Sequence, residues 1–235
     1  MNSEFQMWNV KVTPLEASSS LIDQVYKRLL EAISDHSLPP GFRIRQGELA
    51  DKLRVSRQPI SHALHLLHRQ GLVVEAGRKG FRVTPVDPDH IRRLYEVRGA
   101  LDGLAARLAA SRIGEDKPGA RKLESATHEG RSITEDTPLP KLIRLDVAFH
   151  QALYELSGNP VIEGTIGPQW PHMRRAMACV LSTPGYPLTV WEEHALITRR
   201  VLAADPDKAE RAARSHALGA GRTIEERLKA MNEAA

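Results

Sequence analysis

Apolar residues recur at helical spacing along most of the chain. Leu21, Ile22, Val25, Leu29 and Ile33 form a first stripe, which predicts a helix over 21–34. "LPPG" (38–41) comes next with turn residues. In "QGELADKL", Leu49, Ala50 and Leu53 share one face and predict a short second helix. After the tight turn "RVS", Ile60, Ala63, Leu64 and Leu67 make the stripe of a third helix. Ser56 is suited to its N-cap, Pro59 to its first turn and Gly71 to its end. The period then changes. "LVVEA" and "GFRVTP" are β-rich runs joined by "GRKG", which predicts a hairpin.

After residue 85 the pattern is helical throughout. "PVDPDH" reads as a short linker in which Asp87 can cap the next helix. Helices are predicted over 90–110, 120–133, 139–156, 173–181 and 190–204, with a last helix opening at Asp205-Pro206. Pro168 and Pro171 in "GTIGPQWPHMRR" should shorten or kink the chain there. The expected fold is mainly α: a winged helix-turn-helix of three helices plus a β-hairpin wing (21–85), then an all-α antiparallel helix bundle (86–235). Residues 1–20 are expected to form an arm. They contain no long apolar run and no cationic lead-in, so neither a signal peptide nor a membrane anchor is expected.

Composition narrows the class. The 235 residues are 41% hydrophobic and 26% charged, as in a soluble globular protein. A lone cysteine, Cys179, rules out an internal disulfide or a cysteine-based zinc site and suits a reducing cytoplasm. The net charge of +4 is unevenly spread: Lys and Arg number 11 against 6 Asp and Glu over 21–85, but 21 against 21 over 86–235. A basic small domain joined to a neutral larger one suits a nucleic-acid reader attached to something else. On the third helix Gln58, Ser61, His62, His65 and Arg69 lie opposite the apolar stripe, with Arg57 at the N-terminal end. Such a helix enters a major groove of double-stranded DNA. The candidate contacts are Arg45, Gln46, Arg57, Gln58, Ser61 and His62, with Arg78 and Lys79 at the hairpin tip for phosphate or the minor groove. The spacing of His62, His65 and His68 also permits a metal, but no carboxylate joins them, and exposed surface is the simpler reading.

These motifs carry a resemblance. "G-x-R-I…ELADKL-x-VSRQP-x-x-x-AL-x-LL-x-x-x-GLV…G-x-x-G-x-x-V" resembles the winged helix of the GntR family of bacterial transcription regulators. Two positions depart from it: Gly47 and Ser61 stand where that family commonly has arginine, whereas Arg57 matches. The resemblance therefore implies DNA binding but not a borrowed operator sequence. More of the readout falls to Gln58, His62 and the wing.

The second domain poses a different question. In and just before "LDVAFHQALYELSGNP" (145–160) an apolar stripe of Leu142, Phe149, Leu153 and Leu156 is flanked by Asp146 and His150, four residues apart. Unpaired polar groups beside a buried face are costly. His194 shares a face with Val190, Ile197 and Val201; His216 shares one with Ala209, Ala212, Ala213 and Ala220, whose small side chains leave room for an ion or small ligand. One carboxylate and three imidazoles on inward faces of three helices have the composition of a transition-metal site, and satisfied core histidines are the plainer alternative. The region resembles the FadR C-terminal domain (FCD), with Glu96 and Arg98 in "E-x-R", Asp146 and His150 in "D-x-x-x-H" before Gly158-Asn159, then Glu193-His194 and a late His216.

That resemblance implies a divalent metal, zinc or nickel, held by Asp146, His150, His194 and His216, and a small carboxylate effector. Arg98 is its expected partner, with Asp102 and Arg174 beside it; Arg175 is either a further contact or a solvated position. The resemblance further implies a homodimer on an inverted-repeat operator, repression with release on ligand binding, and a cytoplasmic bacterial location without membrane partners. Two alternatives remain: a direct metal sensor, and a metalloenzyme, against which no general base or nucleophile stands out beside the ligand set.

Overall fold

A computed structural model describes residues 21–77 and 80–233. The first domain runs α1 (Leu21–Ser34), β1 (Arg43–Arg45), α2 (Gln46–Leu53), α3 (Arg57–Arg69), β2 (Val73–Glu75) and β3 (Gly80–Val83). Val25, Leu29 and Ile33 of α1 pack with Ile60, Ala63, Leu64 and Leu67 of α3 in one apolar core, closed on the sheet side by Ile44, Phe81 and Val83. The sheet is antiparallel, ordered β1-β3-β2, with Ile44 opposite Phe81 and Val73 opposite Val83.

Two local expectations change. The wing gains a third strand, β1, because Ile44 alternates with exposed Arg43 and Arg45; three residues give too short an alternation to read in sequence. Ser56 occupies the N-cap of α3 in extended conformation, but its side chain makes no capping bond. The predicted tip contacts Arg78 and Lys79, and the arm 1–20, lie outside the described residues.

The second domain contains α4 (Pro88–Arg112), α5 (Lys117–Arg131), α6 (Leu139–Ser157), α7 (Pro160–Ile166), a 3-10 turn (Gly167–Gln169), α8 (Trp170–Leu181), α9 (Tyr186–Leu202) and α10 (Pro206–Glu233). Helix starts carry side-chain caps at Asp87, Asp116 and Asn159, each with a proline in the first turn. Asp205 accepts from the Lys208 amide at 3.2 Å to open α10. The prolines act as expected: Pro168 sits in the 3-10 turn and Pro171 in the first turn of α8. Two short elements, α7 and the turn, stand where the sequence suggests only a break. Among the described residues no helix is long and apolar enough to cross a membrane.

α4 and α10 are the most extensively packed helix pair. Their backbones approach closely at Gly99, Gly103 and Gly221. A Cβ on Gly221 would stand 2.6 Å from Tyr95 Cβ, and one on Gly99 would stand 3.2 Å from Leu218 Cγ. Tyr95 Cβ is fixed to its own backbone and cannot yield. Gly221→Ala is therefore expected to cost about 1–3 kcal/mol of stability through overpacking. Gly219, also on α10, would meet little on gaining a Cβ. Gly219→Ala is expected to be neutral or to stabilise by about 0.5–1 kcal/mol through helix propensity. Urea denaturation of both variants checks the contrast, and equal effects would contradict the close packing.

Candidate metal centre and nucleic-acid interface

On the first domain, α3 exposes Arg57, Gln58 and His62, and half-exposes Ser61. Arg45 sits at the N-cap of α2 and pairs with Glu48 at 2.7 Å, both side chains being largely exposed; Gln46 opens that helix. The guanidinium of Arg57 leans over Gly47, where an added Cβ would meet its Nη2 at 3.3 Å. Thus the two departures from the family pattern are not equivalent. The bare backbone at Gly47 leaves the space that Arg57 occupies. His65 and His68 instead turn their rings toward Phe81, at centroid distances of 5.4 and 6.1 Å, and His68 Nδ1 donates to the Val73 carbonyl at 3.0 Å. Sequence reasoning missed Arg43 and Arg82. They stand directly opposite each other on exposed positions of β1 and β3. Like charges so placed destabilise a sheet unless an anion faces them.

In the bundle, the polar groups singled out on separate helices converge. Asp146 and His150 come from α6, His194 from α9 and His216 from α10, and all four are at most 5% exposed. The three histidines each offer a ring nitrogen within 4.8 Å of the others. Asp146 Oδ1 lies 3.7 Å from His194 Nε2, and Oδ2 lies 3.8 Å from His150 Nε2. His194 and His216 present their Nε2 atoms to each other at 3.1 Å. Neighbouring nitrogens around one ion with bonds of about 2.0–2.1 Å have this spacing.

A second ring of groups orients these side chains. Glu193 Oε2 accepts from His216 Nδ1 at 2.7 Å, which leaves Nε2 of that ring turned inward. Asp102 Oδ2 faces His150 Nδ1 at 3.4 Å, so Nε2 again points to the centre. Asp102 is itself held by Tyr154, whose hydroxyl donates at 2.5 Å, and by Arg98 Nε at 3.3 Å. A carboxylate behind a ligating imidazole fixes its tautomer and raises its basicity. The rings also pack: Phe149 stacks on His194 at 4.0 Å, and Trp191 meets His194 edge-on at 4.7 Å.

Several buried atoms of this cluster have no hydrogen-bond partner: Asp146 Oδ2, both nitrogens of His150, Nδ1 of His194 and Nη2 of Arg98. Burial holds the imidazoles of His150 and His194 well below their usual pKa, reinforced by Arg98 and the neighbouring histidines. Burial raises the Asp146 and Asp102 carboxyls, against the pull of Arg98. Burial also opposes the Arg98 charge, but Asp102, Tyr95, Tyr154 and Asp146 together keep it above its ordinary value. Unprotonated imidazoles beside carboxylate oxygens that lack donors suit a divalent cation, so the donor set fits a metal.

The expected effector contacts separate. Arg98 lines a cavity beside the cluster with Tyr95, Asp146, Tyr186 and His216; its guanidinium carbon lies 5.0 Å from the Tyr95 ring centre and 5.4 Å from that of Trp170. Asp102 does not line this cavity and sits behind His150. Arg174 does not line it either, because α8 turns Met177, Val180 and Leu181 toward it instead. The cavity holds only about 20 Å³, room for one water and not for a metabolite, despite the alanine-rich face around His216. Sequence reasoning also missed Glu193 as a functional group. Its turn away from His194 along α9 is what carries it to His216 on α10.

Known proteins divide in the same way. Residues 21–83 match the bacterial regulatory proteins of the gntR family, and residues 93–219 match the FCD domain. An HTH-type transcriptional regulator of Streptomyces ambofaciens is 30% identical over 197 residues, covering 82% of this chain and 80% of that protein. YdhC of Bacillus subtilis, an HTH-type transcriptional regulator, is 33% identical over 141 residues, which span 58% of this chain and 60% of YdhC. The transcriptional repressor RspR of Escherichia coli is 26% identical over 204 residues, 87% of this chain and 89% of RspR. Among solved structures, E. coli McbR/YncC shares the fold at a TM-score of 0.75 and 20% identity, over 88% of this chain and 98% of that one. A GntR regulator from Rhodococcus sp. RHA1 does so at 0.71 and 21% identity, over 86% and 96%.

The Tyr154 hydroxyl is buried and supplies Asp102 with a hydrogen bond. Tyr154→Phe leaves that carboxylate short of a donor and is expected to cost about 1–3 kcal/mol in chemical denaturation. An unchanged midpoint would show that Asp102 does not depend on it.

Proposed function

This chain belongs to the GntR family of DNA-binding transcription regulators and carries an FCD domain, and from that premise we propose that a divalent-metal centre in the bundle sets its affinity for DNA. Asp146, His150, His194 and His216 would hold the ion, with Glu193 and Asp102 orienting two of the imidazoles. The observation that carries this reading is the convergence of buried His150, His194 and His216 nitrogens on the Asp146 carboxylate, with Asp146 Oδ2 and His150 Nε2 lacking any hydrogen-bond partner. When bound, the metal supplies a Lewis-acidic positive charge with room for an oxygen ligand.

Arg98 would pair with the carboxylate of a small effector beside that centre. Its guanidinium is pinned by Asp102 at one edge and has Nη2 unpartnered at the other. A planar donor fork suits a carboxylate. Asp102 then acts through Arg98 and His150 and does not touch the effector. Because the cavity is small, accepting a metabolite requires its walls to move, which is how binding would favour one state of the bundle over another. On the first domain, Gln46, Arg57, Gln58, Ser61 and His62 would read base edges or phosphates. Arg43, Arg45 and Arg82 would meet the backbone, with Arg78 and Lys79 extending that contact. A homodimer would read an inverted repeat, with half-sites about one turn apart. Repression would match the relative RspR, a transcriptional repressor. A bacterial cytoplasmic location fits a DNA-binding role.

The 20 Å³ cavity favours one second reading, in which the ion alone is the signal. Dialysis separates the two: a resident cofactor is retained without chelator, whereas a sensed ion exchanges freely.

Elemental analysis of the purified protein is expected to give about one zinc or nickel per chain, with a fall in Tm on chelation. The His150→Ala, His194→Ala double variant is expected to lose that ion; full retention would overturn the assignment. Glu193→Gln is expected to weaken metal affinity about 10–100-fold while leaving the ligands in place. For the DNA face, Arg57→Ala is expected to weaken operator binding and flatten its salt dependence, measured by fluorescence anisotropy across salt concentrations.

A further inference from the structure

The two domains meet across a cleft of about 730 Å³, bounded by the end of α3, the connector after β3 and the starts of α4 and α8. Arg69, Thr84, Asp87, His90, His172 and Arg175 line it. Arg175 is neither a solvated position nor a contact of the metal-side cavity. Its side chain is 1% exposed and leaves the bundle to reach the first domain. Nη1 donates to Thr84 Oγ1 at 3.2 Å, Nη2 donates to the Thr84 carbonyl, and Nε has no partner.

This guanidinium has no counter-charge. Burial pulls its pKa down to about 10 with only Cys179 opposing, and no carboxylate among the described residues supports it. A buried cation without a compensating anion is costly. Asp87 is the carboxylate of the lining, and it is engaged in capping the Asp89 amide at 3.0 Å. His172 donates from Nε2 to the Gln70 carbonyl at 2.8 Å, and burial keeps its pKa low, so it is a neutral donor there. Its ring meets that of His90 at 5.3 Å. Arg69, exposed at the end of α3, adds a second cation to the rim. The starts of α4 and α8 line the same space, the first capped by Asp87 and the second running on from the 3-10 turn.

We propose that this interdomain cleft is a binding site for a small oxyanion of the phosphate or carboxylate class, anchored by Arg175 and bounded by Arg69, His90, His172 and the start of α8. The anion supplies the missing counter-charge. Because its contacts come from both domains, it fixes the DNA-binding domain against the bundle. The site is separate from the metal centre. Yet α8 joins them, since Arg175 lies about half a turn before Met177 on the wall of the metal-side cavity.

Thermal unfolding of the full chain, with inorganic phosphate or acetate replacing chloride at constant ionic strength, tests this. A saturable rise in Tm with either anion is expected, and the one that saturates names the class. Arg175→Gln and the exposed Arg69→Gln are each expected to weaken the apparent affinity about tenfold. Arg121→Gln, at an exposed position of α5 that does not line the cleft, is expected to leave it unchanged. If Arg175→Gln does not fold, Arg69→Gln decides. A non-saturating rise with both anions, a response that survives the cleft variants, or one lost equally in Arg121→Gln would overturn the proposal. Loss of metal in the double histidine variant with the phosphate response retained would leave it standing, so failure of the metal reading and failure of this one are told apart.

Discussion

The bundle is organised by the cost of burying charge. Arg98 and Asp102, one turn apart on α4, are almost completely removed from water. Neither can stay there alone, since an unpaired buried ion costs several kcal/mol. Asp102 therefore recruits Tyr154 from α6 and faces His150 on the same helix, while Arg98 reaches toward Asp146 at 4.0 Å. Those demands fix the axial register of α6 against α4. His150 and Asp146 in turn fix where α9 and α10 must place His194 and His216.

Much of this was legible in sequence because it is periodic. The stripes of Val25, Leu29 and Ile33, and of Ile60, Ala63, Leu64 and Leu67, are local patterns, and they lie in one core as their spacing requires. The four polar residues of the bundle could be placed on inward faces for the same reason. What sequence did not reveal is what depends on a partner far along the chain. Three residues of β1 are defined only by pairing with β3. Glu193 gains its role from His216, 23 positions away. Arg175 gains its role from Thr84, 91 positions away. Ser56 failed for the opposite reason: its type and position are right for a cap, but its hydroxyl is not aimed at the helix.

The DNA-binding face shows how one absent side chain redirects another. Gly47 removes a family arginine from the start of α2, and the Arg57 guanidinium rests over the exposed backbone that results. A single cation, that of Arg57, then lies over this position. Arg43 and Arg82, set against each other across the sheet, supply positive charge from the wing side.

The glycines between α4 and α10 have a mechanical consequence. With Gly99, Gly103 and Gly221 bringing the two backbones into contact, these helices can neither rotate nor slip without driving side chains into main chain. They form the stator of the bundle. His216 and Arg98 ride on that fixed part, whereas Asp146, His150 and His194 stand on α6 and α9. The polar cluster therefore straddles a locked helix pair and two helices outside it, and α8 carries Arg175 from the same bundle to the other domain.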